Sequence, residues 1–97
     1  MRISLNTVTV KERWGLAECI EGALRHGIPG IAPWRDVLQA MGVETAARHI
    51  RDAGLTVTGL CRGGMFPAAD AAGRAAAIED NRRAIAEAHA IGARCLV

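Results

Sequence analysis

Ala53-Gly54-Leu55-Thr56-Val57-Thr58-Gly59-Leu60-Cys61-Arg62-Gly63-Gly64 (residues 53–64) decides the fold. A helix-like segment stops at Gly54, a run containing β-branched residues follows from Leu55 to Leu60, and that run opens into a glycine-rich loop. Glycine just past a helix accepts positive φ without strain, and a short β-rich run bounded by glycines reads as a strand. The same punctuation recurs upstream at His26-Gly27-Ile28 and downstream at Ile91-Gly92-Ala93. Alternation of this kind predicts a parallel sheet with helical crossovers, stable only when both its faces are covered.

Working outward, Arg2 to Val10 predicts the first strand, with Ile3 and Leu5 on one side and Ser4 and Asn6 on the other. A helix from about Gly15 to His26 would turn Leu16, Cys19, Ile20, Ala23 and Leu24 inward. Ile28 to Ala32 predicts a short second strand with Pro29 at its first position, because proline cannot donate to a ladder. Pro33-Trp34-Arg35-Asp36 reads as a loop, and Leu38 to Met41 as a helical turn before Gly42. A second helix, Val43 to Ala53, presents Val43, Ala46, Ala47 and Ile50 inward and Arg48 and Arg51 outward. The third and longest helix runs from about Ala71 to Ile91, capped by Asp70. Ile78, Ile85 and Ile91 mark its expected inner stripe, and Glu79, Asp80, Arg82, Arg83 and Glu87 its wet one. Arg94-Cys95-Leu96-Val97 then reads as a fourth strand with no helix behind it.

The expected fold class is therefore α/β, about three β/α units plus a fourth strand in one parallel sheet. An eight-stranded β/α barrel needs about 250 residues. At 97 residues a complete barrel is excluded, and the chain would supply only the first three units of one and the start of a fourth strand; the family resemblance given below implies that it is such a partial, truncated domain, the N-terminal part of a TIM (β/α)8 barrel.

Hydrophobic residues at 51% and charged residues at 23% suit a globular domain and argue against disorder. One phenylalanine, two tryptophans and no tyrosine leave aliphatic residues and alanine to fill the core and offer few platforms for stacking bases. A net charge of +2, with both signs interspersed, gives no nucleic-acid footprint. Cys19, Cys61 and Cys95 are widely spaced without a CxxC pair, so reduced, buried thiols are expected rather than a disulfide framework or zinc knuckle. No leader-like segment and no apolar run of about 18 residues is present, which makes a cytoplasmic protein with no membrane partner the expectation.

Ligands of β/α folds bind at the carboxyl ends of the strands. Here those ends carry Asn6 and Thr7, Trp34 and Arg35, then Cys61, Arg62 and the Gly63-Gly64 pair. Arg62 can grip a carboxylate or phosphate with its guanidinium fork, helped by the amides of Gly63 and Gly64; the plainer alternative is a solvated arginine before a loop. Trp34 offers an apolar wall to a sugar face or simply packs over the mouth of the fold. Asn6 can bond a hydroxyl or bridge loop backbone. Cys61 has no histidine or asparagine arranged to activate it, so a lining or structural thiol is expected, not a nucleophile. His26, His49 and His89 lie in or at the ends of helices with no ligand spacing between them, and no metal ligand is assigned. Gly59-Leu60-Cys61-Arg62-Gly63-Gly64 lacks the lysine of a P-loop and the spacing of a dinucleotide loop.

Taken together, Ile3-Ser4-Leu5-Asn6-Thr7, the run Arg25 to Asp36, and Gly54 to Gly64 resemble the opening of the sugar phosphate isomerase/epimerase family. These are xylose isomerase-like TIM barrels that share a fold with endonuclease IV (AP endonuclease family 2). The resemblance implies proton transfer next to a carbonyl of a small sugar, sugar phosphate or polyol derivative. It also implies a divalent metal (Mn, Mg, Co or Zn) held mainly by later strands, so that this chain alone would bind none and be inactive. The positions matched on the substrate side are Asn6, Trp34, Cys61 and Arg62. Two alternatives stand beside this reading: a half-barrel that self-associates, as a homodimer, without catalysis, and an endonuclease-like DNA-repair barrel. The second is disfavoured because Trp34 and Cys61-Arg62 stand where that branch carries histidines.

Overall fold

The structure, a computed structural model, describes residues 2–97. Three short parallel strands, β1 (Ser4–Asn6), β2 (Gly30–Ala32) and β3 (Thr56–Val57), pair in the order β1-β2-β3. Leu5 sits beside Ile31, and Ile31 beside Val57. Helices α1 (Leu16–Arg25), α2 (Arg35–Met41), α3 (Val43–Asp52) and α4 (Ala71–Ala90) supply the crossovers. The fourth strand-like run lies alongside the end of β3: Leu60 bridges Leu96 in parallel, Leu60 N donates to Cys95 O at 2.9 Å and Val97 N to Leu60 O at 2.9 Å.

The strand residues that alternate toward the helices make the core. Ile31, Val57 and Leu60 pack with Leu16, Cys19 and Ile20 of α1, Leu38 of α2, and Ala46 and Ile50 of α3. The other sheet face is small and polar. Ser4 Oγ and Thr58 Oγ1 lie 2.8 Å apart, reaching across β2 where it offers Gly30. A Cβ on Gly30 would stand 3.1 Å from Ser4 Cβ and 3.2 Å from Ile3 O, so only glycine lets the two hydroxyls meet without a shift.

Several boundaries differ from the sequence reading for local reasons. The first strand stops at Asn6, not Val10, because Asn6 Oδ1 accepts the Val8 amide at 3.1 Å and caps a 3-10 turn over Thr7–Val10. Pro29 precedes β2 instead of opening it. The stretch read as a loop at Arg35-Asp36 is the first turn of α2, which starts directly after Trp34. Leu24 is 53% exposed, on the wet side of α1.

The largest correction concerns α4. Asp70 caps it as expected, accepting the Gly73 amide at 2.7 Å. Yet Ile78 and Ile85 are 47% and 62% exposed, whereas Asn81, Ala84 and Ile91 are buried and Ala77 and Ala88 half-buried. Positions 77, 81, 84, 88 and 91 form one face, and each exposed isoleucine stands one residue, about 100°, further round. Alanine lets the helix approach closely, so this face is built mostly from small residues, with Ile91 as its one large apolar side chain. Glu87, expected to be wet, is only half-buried at its residue level and its side chain is 12% exposed.

Candidate functional site

The four residues singled out at the strand ends converge. Asn6 ends β1, and its Oδ1 accepts two donors, the Val8 amide at 3.1 Å and Trp34 Nε1–H at 2.8 Å. That second bond fixes the indole from its edge. Trp34 follows β2, its backbone N–H donates to the buried Thr7 hydroxyl at 3.0 Å, and it bridges Cys61 in parallel at the end of β3. Arg62, next along the chain, lays its guanidinium over the Trp34 ring with Cζ 6.0 Å from the centroid, within reach of a cation–π attraction. The indole therefore backs a guanidinium rather than presenting that face to solvent. Arg62 is otherwise exposed, with one weak contact from Nη2 to Met65 Sδ at 3.7 Å, and its remaining donors point to no carboxylate among the described residues. A cavity of about 120 Å³ lies beside the same indole, lined by Thr7, Val8, Lys11, Trp34, Asp36 and Val37.

Cys61 sits beneath this cluster. It is 9% exposed, and burial pushes its thiol pKa up, with nearby Cys95 adding to the effect. A thiol held protonated is a poor nucleophile. Its backbone does the visible work: Cys61 N donates to Pro33 O at 3.1 Å and Cys61 O accepts Arg35 N at 2.6 Å, tying the second and third loops together. All three cysteines are free, though Cys95 is exposed, contrary to the expectation of burial. The amides of Gly63 and Gly64 do not face a ligand either, because Gly63 N donates to Val97 O at 2.6 Å and Gly64 N to Asn81 Oδ1 at 2.6 Å.

Sequence reasoning missed the groups that hold these loops. Arg35 Nη1 and Nη2 donate to Asp80 at 2.9 and 3.1 Å, its Nε donates to Glu87 at 2.6 Å, and Gln39 reaches the other Glu87 oxygen at 2.9 Å. The Arg35 side chain is only 11% exposed. Hydrogen bonding to Asp80 raises the Arg35 pKa first, against the opposing effect of burial, and Glu87 adds to it. The signal that existed was the spacing of Asp80 and Glu87, seven residues apart and so on one side of a helix, but nothing local in the sequence names Arg35 as their partner.

The Asp80 carboxyl is in turn held below its ordinary range, first by the hydrogen bond from Arg35 and also by Arg83, with desolvation opposing. A depressed carboxylate contributes stability that is complete above its unfolded pKa, about 3.9, and is lost as pH falls through the lower folded value. Thermal melts between pH 6 and 2 are therefore expected to fall more steeply for the wild type than for Asp80→Asn below about pH 4; parallel curves would contradict the assignment.

Among the described residues no group of three or more His, Cys, Asp or Glu side chains is close enough to hold a metal ion, and His26, His49 and His89 are each exposed on separate elements. No helix among the described residues is long and apolar enough to cross a membrane.

A solved protein, SMc04130 from Sinorhizobium meliloti 1021, superimposes on this chain with a TM-score of 0.93 and 54% identity, covering 97% of this chain and 34% of that one. A xylose isomerase-like TIM barrel/4-hydroxyphenylpyruvate dioxygenase fusion protein matches at TM-score 0.77 and 18% identity, over 96% of this chain and 15% of that one. This chain has the fold of part of a xylose isomerase-like TIM barrel. The probable 3-DHS dehydratase AsbF of Bacillus anthracis, involved in petrobactin synthesis, matches with a TM-score of 0.73 and 19% identity over 96% of this chain and 36% of its own. The chain thus spans about a third of the length of SMc04130 and of the dehydratase. No protein-family profile and no curated protein matches the sequence. Within this barrel frame, Asn6, Trp34, Cys61 and Arg62 all stand at the carboxyl ends of the strands, the face on which TIM barrels bind ligands.

Proposed function

We propose that these residues form the substrate-facing wall of a barrel that isomerises or epimerises a small sugar phosphate or similarly anionic polyol. The observation that carries this reading is the Arg62 guanidinium stacked over an indole that Asn6 holds by its edge. A solvated arginine has no need of such a mount. A planar fork pre-oriented on an aromatic face loses less freedom when it meets a phosphate or carboxylate, and it can meet it with two parallel bonds. The neighbouring cavity, with Thr7, Lys11 and Asp36 among its lining residues, has room for hydroxyl-bearing carbons. Proton transfer next to a carbonyl, assisted by a divalent metal, is the chemistry that family likeness supplies; the residues present would bind and orient the anionic end of the substrate.

The test is a titration of this chain with a sugar phosphate and with the matching neutral sugar. Arg62→Ala is expected to weaken phosphate-ester binding about tenfold, the worth of a charge-assisted hydrogen bond, and to leave the neutral sugar within about twofold. Equal losses for both ligands, or none for either, would overturn the assignment of Arg62 to the anion.

A further inference from the structure

One turn of α4 holds both loops of the site. From Asp80 the helix grips the Trp34 loop through Arg35, and from the adjacent Asn81 it grips the loop that follows Arg62. Asn81 is 8% exposed and spends its whole amide in this contact: Oδ1 accepts Gly64 N at 2.6 Å, and Nδ2 donates to Gly64 O at 2.7 Å and to Ala77 O at 2.8 Å. A side chain that both donates to and accepts from one residue mimics a paired strand, and at this reach only a short primary amide supplies both functions. The backbone it clasps is left-handed, with φ of +88° at Gly64 and +62° at Met65. Gly63 is pressed against the same clasp, since a Cβ there would stand 3.0 Å from Asn81 Oδ1 and 3.1 Å from Leu96 Cδ2.

We infer that Asn81 is a positioning residue, which sets where Arg62 stands over Trp34, with Arg35 fixing the opposite side from the same turn of helix. The inference rests on the reading of Trp34 and Arg62 as a ligand wall, yet Asn81 touches neither. Residues 61, 63 and 64 are bonded through their backbones to Pro33, Arg35, Val97 and Asn81, so the path of the chain on both sides of Arg62 is fixed. Removing the Asn81 clasp loosens the downstream side from Gly64 onward, with the Gly63–Val97 bond as its remaining tether. Arg62 then leaves the ring while Trp34, still bonded to Asn6 and Thr7, stays.

Ring-current shifts read this without any ligand. Protons of an arginine lying over an indole resonate upfield, so the Arg62 side-chain protons report the stack and the Trp34 Nε1–H resonance reports the bond to Asn6. In Asn81→Leu, which keeps the shape and loses both hydrogen-bonding functions, the upfield shift of Arg62 is expected to fall by at least half at temperatures where circular dichroism shows an intact fold. The Trp34 Nε1–H resonance should hold its position. Arg82→Ala, on the exposed side of the same helix, should change neither. A purely structural role would lower the melting temperature and leave the Arg62 shift intact in the folded chain, and that result overturns the inference. Should Asn81→Leu not fold, Asn81→Asp, which keeps the acceptor for Gly64 N and loses the donor, carries the same comparison. Failure of the ligand reading is seen separately, as absence of binding in the wild-type titration while the Arg62 shift still responds to Asn81.

Discussion

Arg35→Ala is expected to destabilise the chain by about 2–3 kcal/mol and to lower its melting temperature by roughly 10–20 °C. The cost does not come from losing an attraction at the surface, where ion pairs are worth little. It comes from Glu87, whose side chain is 12% exposed and would be left in a nearly closed site with Gln39 as its remaining partner. Breaking one member of a buried set leaves the other uncompensated, and removing both is far milder. The double variant Arg35→Met with Glu87→Leu should therefore recover most of the loss in a thermal melt. Arg82→Ala, whose partner Glu79 is 59% exposed, should change the melting temperature little. A double variant as unstable as Arg35→Ala would mean that the pair acts through something other than mutual neutralisation.

Leu38→Ala should cost as much or more, about 2–5 kcal/mol. Leu38 is fully buried and is the one fully closed side chain of the seven-residue helix α2, which has no side-chain cap. A helix so short does not persist by propensity and stays only because its inner face is packed. A chain of 97 residues has little stability to spare, so a loss of this size should populate the unfolded state at moderate temperature. Leu38→Met, which conserves volume, is expected to stay within about 1.5 kcal/mol. Chemical denaturation of both variants separates a cavity effect from a general intolerance of change.

Much of the frame was legible because it is written in local chemistry. Gly27, Gly54 and Gly92 take φ of +67°, +70° and +69°, as the stop signals require, and α1, α3 and α4 begin within a residue of where the sequence places them. Convergence of Asn6, Trp34 and Arg62 followed from the fold alone, since successive loops of a parallel sheet gather on one face. What was not legible depends on long-range partners. Arg35 looks like any polar residue after a strand until Asp80 and Glu87, 45 and 52 positions later, are brought beside it. Asn81 carries no local signal of burial in an alanine-rich helix, because its reason to be buried is the distant backbone of Gly64. Ile78 and Ile85 misled by hydrophobicity: α4 packs by its smallest residues, and no stripe of large side chains betrays that face.

The central claim is that the Asn6–Trp34–Arg62 cluster is a ligand-binding wall, and the most direct test is where a sugar phosphate lands on the isotopically labelled chain. Nuclear Overhauser contacts between the ligand's carbon-bound protons and the Trp34 ring, with a saturating shift of the Trp34 Nε1–H resonance that disappears in Trp34→Ala, are the predicted result. A ligand that saturates while the Trp34 and Arg62 resonances stay still, or that contacts only other surfaces, would contradict it.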